Sequence, residues 1–241
     1  MLAQQMRSGA PSEIPAAAAQ AARELIDLLA AVYGQTLLSL TVHGDALDAG
    51  DPHGGMESVM VLSRIELSGL QKLALEGKRL GRLGIAAPLA MTPEDISSSL
   101  DSFPLELLEI QQRHVTLNGK DYFADLKIEP ADLRLQCERE FKRILMRLRQ
   151  AVLTAAGRSE ILEGLSHDLK RHLLRTLRGF LWLGGQKEFV PASAVASACG
   201  RKIGDPLTGV SVVLNSGGRI SDSLDALYKD VNLLAERADR A

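Results

Sequence analysis

The sequence predicts an α+β protein: a small mixed sheet with helices in the first half, then an antiparallel helical bundle. Three observations carry this. Short apolar runs of strand character, such as Leu38, Leu40 and Val42 alternating with Ser39 and Thr41, are confined to the stretch before Pro130. Beyond Pro130, apolar residues recur at helical spacing, with Leu133, Cys137, Phe141, Ile144, Leu145 and Leu148 on one face. Apolar residues make up 46% of the 241 residues, which is enough to bury a core.

The elements follow in order. Residues 1–14 are polar and marked by Pro and Gly, as expected of a flexible tail. From Pro15, a first-turn residue, a helix runs to Gly34, a good stop. The strand QTLLSLTVHG then enters a loop holding Gly44, Gly50, Pro52, Gly54 and Gly55, and ESVMVLSRI leaves it as a second strand. Leu67, Leu70, Leu73, Leu80 and Leu83 predict a helix that Gly77 and Gly81 weaken. IAAPLAM reads as a short strand. Thr92 at N-cap, Pro93 behind it and the acids Glu94 and Asp95 predict a helix start. SFPLELLEI alternates and predicts a strand, and HVTLNGKDYFADLKI an extended stretch that turns at Asn118-Gly119.

Residues 15–129 thus form an α/β domain of four or five strands, and residues 130–241 a bundle of four to five helices. The bundle helices span 131–156 and 160–183, with one more after Pro191 and a last one from the cap-like Ser221-Asp222-Ser223; PLTGVSVVLN is ambiguous.

Composition narrows the function. With 28 Lys+Arg against 30 Asp+Glu, the net charge of −2 argues against a chain that coats nucleic acid or an anionic membrane. Aromatics at 4% make a base-stacking surface improbable. Cys137 and Cys199 stand alone, without a C-x-x-C, which excludes a structural zinc site and fits a reducing compartment. No apolar run approaches the length of a membrane span, and the start lacks the apolar core of a signal peptide. A soluble cytoplasmic protein is expected.

The stretch LTVHGDALDAGDPHGGMESVMVLSRI, residues 40–65, resembles the nucleotidyltransferase superfamily in its minimal and kanamycin-nucleotidyltransferase-like branches. There a strand ends in G-S, a small loop follows, and a second strand opens with D-x-D before an aliphatic run. FPLELLEIQQRHVTLNGKDYFADLKI, residues 103–128, resembles the family's strand with the third carboxylate. The resemblance implies a nucleotide site at Gly44 and Asp45 and metal positions at Glu57 and Glu106, with Glu109 as the fallback if the strand is shifted. Nucleotidyl transfer is mostly positioning and charge neutralisation by Mg²⁺ ions that carboxylates hold.

The chain departs from that pattern at the residues that matter. Asp45 stands where the family has serine, and its charge faces the triphosphate. Aligning Val59-Met60-Val61-Leu62 with the aliphatic run lays D-x-D on Gly55-Met56-Glu57, so the first carboxylate is absent. The expected function is therefore a nucleotidyltransferase-like protein with a degenerate metal site, non-catalytic and without a cofactor, binding a small ligand or a protein partner. The alternative is an active Mg²⁺-dependent enzyme that transfers a nucleotidyl group to a small molecule or protein, with Asp45 or Asp51 joining Glu57 and Glu106.

Other groupings weigh less. His43, Asp45, Asp48, Asp51 and His53 form a loop cluster without the calcium-loop spacing, and turn formation explains its acids. His114 reads as an ordinary, partly exposed histidine. Arg171, Arg175 and Arg178 share a helical face with His167, and Arg139, Arg143 and Arg147 form a second row. These are anion-binding candidates, and a solvated face is the competing reading. No G-x-S-x-G or phosphate loop is present, and Asn215-Ser216-Gly217-Gly218 is a turn.

Overall fold

The computed structural model describes Ile14 and residues 16–47, 55–156, 158–164, 166–215 and 218–239. Asp48, Asp51 and His53 of the loop cluster, and the tail before Ile14, lie outside the described residues, as do the side chains of Asp45 and His167. The chain divides into two compact units, Met1–Leu100 with Ile110–Lys127 and Asp101–Glu109 with Ile128–Ala241.

In the first unit, α1 (Ala16–Tyr33) precedes a four-stranded sheet of β1 (Leu37–His43), β2 (Glu57–Leu62), β3 (Leu89–Met91) and β4 (His114–Gly119). The spatial order is β3-β2-β1-β4; β1 runs antiparallel to both neighbours and β3 parallel to β2. Alternation along β1 sends Leu40 and Val42 into a core with Leu25 and Leu29 of α1, Met60 and Leu62 of β2 and Val115 of β4. Ser39 and Thr41 take the opposite face, where the Thr41 and Thr116 hydroxyls meet at 3.1 Å in a buried hydrogen bond. Gly119 closes the β1–β4 pairing with φ +79, and a Cβ there would sit 1.9 Å from the Leu38 carbonyl oxygen, so only glycine fits.

The helical leucines of 67–83 form two short helices, α2 (Leu67–Ala74) and α3 (Gly77–Arg82), which break where Gly77 was expected to weaken the run. The predicted start at Thr92 is present in α4 (Pro93–Ser98). The Asp95 N–H donates to Thr92 Oγ1 at 3.0 Å and the Thr92 N–H to Asp95 Oδ2 at 2.8 Å, a reciprocal capping box.

Two predictions are corrected. Asn118-Gly119 is not a turn, because both residues lie in β4 and pair with Leu40 and Ser39 of β1. SFPLELLEI is not a strand: Pro104 opens α5 (Pro104–Gln112), and the unit boundary falls inside that helix. Leu105, Leu107, Leu108 and Ile110 are all buried. A helix covered on so many sides shows apolar residues at odd and even positions alike, which reads as alternation over a short window.

The second unit continues with α6 (Pro130–Ala155), α7 (Ser159–Glu163), α8 (Ser166–Leu183), α9 (Ala192–Ile203), α10 (Thr208–Leu214) and α11 (Ile220–Asp239). The single helix expected over 160–183 is divided between α7 and α8, and the ambiguous PLTGVSVVLN is helical in α10. Phe141 of α6 is fully buried and meets Phe180 of α8 edge to face at 6.2 Å. Gly179 lets α8 close on its neighbours, because a Cβ there would lie 2.3 Å from Leu105 and 3.0 Å from Cys137 Sγ. Asp230 of α11 receives the N–H groups of Gly209 and Val210 at 2.7 and 3.0 Å, filling orphan donors at the start of α10. Glu163 does the same for α11, accepting from the N–H groups of Ile220 and Ser221 and from the Ser221 hydroxyl.

Both thiols are free and buried in this unit, Cys137 on α6 and Cys199 on α9. Burial pushes the Cys199 thiol up to about 12 and the Cys137 thiol well above its ordinary value.

Candidate functional site

The residues singled out by the β1–β2 pattern converge at one end of the first unit's sheet. The register pairs His43 with Glu57 on one side and with His114 on the other. Paired residues share a face, so Glu57, His43 and His114 stand in a row across three strands.

Gly44 follows with φ +80, and a Cβ on it would lie 3.5 Å from Glu57 Oε2. The Glu57 carboxylate therefore rests against bare backbone. The Gly44 N–H is committed, donating to the Arg113 carbonyl at 3.0 Å. The Arg113 guanidinium donates through Nη2 to the Leu47 carbonyl at 3.1 Å. Arg113 thus clamps both ends of the single 3-10 turn Gly44–Leu47.

His114 is held from both sides, Nδ1 at 3.2 Å from the Gln111 carbonyl and Nε2 at 3.0 Å from Asp121 Oδ2. Burial pulls the Asp121 carboxyl upward. The N–H groups of Phe123 and Ala124 and the His114 imidazole outweigh it and hold the carboxyl below its ordinary range.

Glu57 is the only carboxylate of β2. Gly55, aligned with the first acid of D-x-D, has no room to spare: a Cβ there would stand 3.2 Å from the Gly84 carbonyl oxygen. That oxygen also receives the Met56 N–H at 2.6 Å, and the Met56 side chain is buried in the core. Ser58, the next inward residue, is buried with its hydroxyl lacking a hydrogen-bond partner among the described residues.

Glu106 and Glu109 do not lie on a strand beside Glu57. They occupy one face of α5, in the second unit, where arginines of α8 meet them. Arg175 donates through Nε to Glu109 at 2.6 Å and through Nη1 to Glu106 at 3.1 Å. Gln136 of α6 donates to the other Glu106 oxygen at 2.9 Å and accepts the Leu105 N–H at 2.8 Å. Arg178 is buried, lies 3.6 Å from Glu109, donates to the Val190 carbonyl and covers the Phe189 ring. Two of the three arginines proposed for anions are therefore tied to carboxylates of their own unit, while Arg171 is exposed and lies 3.8 Å from Asp168. Burial lowers the neighbouring His172, and Arg175, Arg147 and Arg171 add to this against the pull of Glu140.

Among the described residues, no three His, Cys, Asp or Glu side chains are grouped to hold a metal ion. No described helix is long and apolar enough to cross a membrane. Sequence reasoning missed Arg113, Asp121 and Gln136. Asp121 had a signal, since an aspartate two residues before a turn's N–H groups is a recurrent turn former. Arg113 and Gln136 had none, because their partners are distant backbone and side-chain atoms.

This mixed sheet with its row of strand-end residues, followed by a helical region, is a nucleotidyltransferase-like fold. A solved structure that shares it is the spectinomycin adenyltransferase AAD(9) from Enterococcus faecialis, determined with ATP and spectinomycin. It superposes with a TM-score of 0.57 at 12% identity, covering 91% of this chain and 98% of that one. No protein-family model matches the chain, and no curated protein does.

Proposed function

We propose that this is a nucleotidyltransferase-fold protein that does not carry out metal-dependent nucleotidyl transfer and instead binds a small ligand or a protein partner. One observation carries the reading: the start of β2 offers Gly55, Met56 and Glu57 where the fold's chemistry asks for paired carboxylates. A pair of Mg²⁺ ions needs several carboxylate oxygens at close range. The described residues do not fit that requirement, because Glu57 is alone on its strand and Glu106 shares its charge with Arg175. The committed Gly44 N–H supports the same reading, since it is not open to a phosphate. The near-balanced charge supports a partner other than nucleic acid, and the buried free thiols support a reducing, cytoplasmic setting.

A second reading is favoured by a specific contact. Glu57 lies against Gly44, the residue before Asp45, so an active enzyme with Asp45 or Asp51 as relocated ligands would assemble them at this end of the sheet.

The test is incubation of the purified chain with Mg²⁺, labelled nucleoside triphosphates, and protein and small-molecule acceptors. The expected outcome is no metal-dependent incorporation above that of Glu57→Gln. Transfer that requires Mg²⁺ and that Glu57→Gln abolishes overturns the reading in favour of the second one.

A further inference from the structure

The second unit contains a cleft that the strand-end residues do not explain. It encloses about 350 Å³ among α6, α7, α8 and the start of α11. Its floor is apolar: Leu148 and Ala151 of α6, Leu162 of α7, Leu169 of α8 and Ile220 of α11, all buried. Ala151 is the small residue in that floor, and its short side chain leaves the volume open. Arg147, Gln150 and Thr154 follow one edge of α6 at i, i+3 and i+7 and line the cleft with polar groups.

The volume is at the lower end of the roughly 300–1,000 Å³ of small-molecule pockets, and a dominant apolar lining with few polar groups is their usual make-up. Water is poorly held on such a floor, so an apolar body entering it gains burial of about 25 cal/mol per Å². Among the described residues, two charges line the cleft. Asp168 is exposed, where water screens its charge, and lies 3.8 Å from Arg171. Arg147 shares the polar edge of α6 with Gln150 and Thr154 and is the cation an occupant meets there. A guanidinium fits a carboxylate in a forked, two-bond geometry.

We infer that this cleft is a binding site for a small organic carboxylate with a compact apolar body, its ring or branched chain on the Leu148–Ala151–Leu169 floor and its carboxylate at Arg147. The assignment lies wholly within the second unit and stands apart from the reading of the strand-end residues.

Calorimetric titration with phenylacetate and with its uncharged analogue phenylacetamide tests it. Phenylacetate is expected to bind about tenfold or more tightly than the amide, as one charge-assisted contact allows. Arg147→Gln, on an exposed position, is expected to erase that preference and leave the weak binding of the amide. Ala151→Leu is expected to fill the cleft and abolish binding of both, with circular dichroism showing an unchanged helical signal. Equal affinity for acid and amide overturns the proposal, as does an undiminished preference in Arg147→Gln. Absence of binding by the wild-type chain at millimolar probe overturns it as well.

Discussion

Two regions of this protein, the strand ends of the first unit and helix α5, place their described acids in different settings. At the strand ends of the first unit, Glu57 lies on its own strand beside a glycine and a histidine, half-buried and facing backbone. On α5, Glu106 and Glu109 are gripped by Arg175, Arg178 and Gln136, and every contact is a fixed, partly buried hydrogen bond or ion pair. The first arrangement sets a half-buried carboxylate at the end of a strand, against the Gly44 backbone. The second spends two carboxylates on joining α5 to α8 and α6. A count of acids along the sequence therefore overstates the number available for a metal.

That contrast can be sharpened or broken by measurement. The largest effect is expected for Phe141→Ala, which empties the core of the second unit at its contact with Phe180 and should cost about 3–5 kcal/mol. Denaturant unfolding followed at Trp182, the sole tryptophan and a residue of α8, reports on that unit directly. A cost under about 1 kcal/mol would mean that the unit draws its stability from elsewhere.

Next comes Arg175→Met, which leaves Glu109 buried with less compensation and should cost about 3 kcal/mol, most of it recovered on adding Glu109→Leu. Glu57→Gln, at a half-buried strand end, should cost less than Arg175→Met in the same assay. Similar losses for Arg175→Met and Glu57→Gln would erase the distinction between the two regions.

The smallest effect concerns acid. Burial raises the Glu163 carboxyl, but the N–H and hydroxyl of Ser221, the Ile220 N–H and Arg219 outweigh it and hold it below its ordinary range. A carboxyl depressed in the native state adds stability above its unfolded value and loses it as pH falls through the native one. Glu163→Gln should therefore lower stability by about 1 kcal/mol at neutral pH, the worth of a helix cap, and flatten the acid limb of the stability curve. Parallel acid limbs for the two proteins would remove Glu163 from the account.

Most of the fold was legible in the sequence because local signals agreed with the tertiary outcome. The alternation in β1, the Thr92–Asp95 capping box and the apolar face of α6 each carry a short-range cause. Leu133, Cys137, Phe141, Ile144, Leu145 and Leu148, read as one apolar face, are all buried. The strand assigned to SFPLELLEI failed because α5 is buried on nearly every side, so leucines fall at odd and even positions and the two-residue stripe of Glu106 and Glu109 is too short to reveal a helical period. That error carried Glu106 onto a strand beside Glu57. Pro104 was the counter-signal, a residue suited to the first turn of a helix. The charge pairing of Arg175 and Arg178 was illegible for another reason. Their carboxylates lie 66 or more residues away, and a row of arginines looks the same from the sequence whether it faces solvent or a buried acid.

The depth at which Cys137 and Cys199 are sunk has a practical corollary. An alkylating reagent attacks the thiolate, which both residues deny it while the second unit stays closed. Alkylation of either thiol therefore requires that unit to open, and the rate of labelling reports how readily it does so. The protein carries its own clock for the opening of its helices, readable by mass at neutral pH without any engineered label.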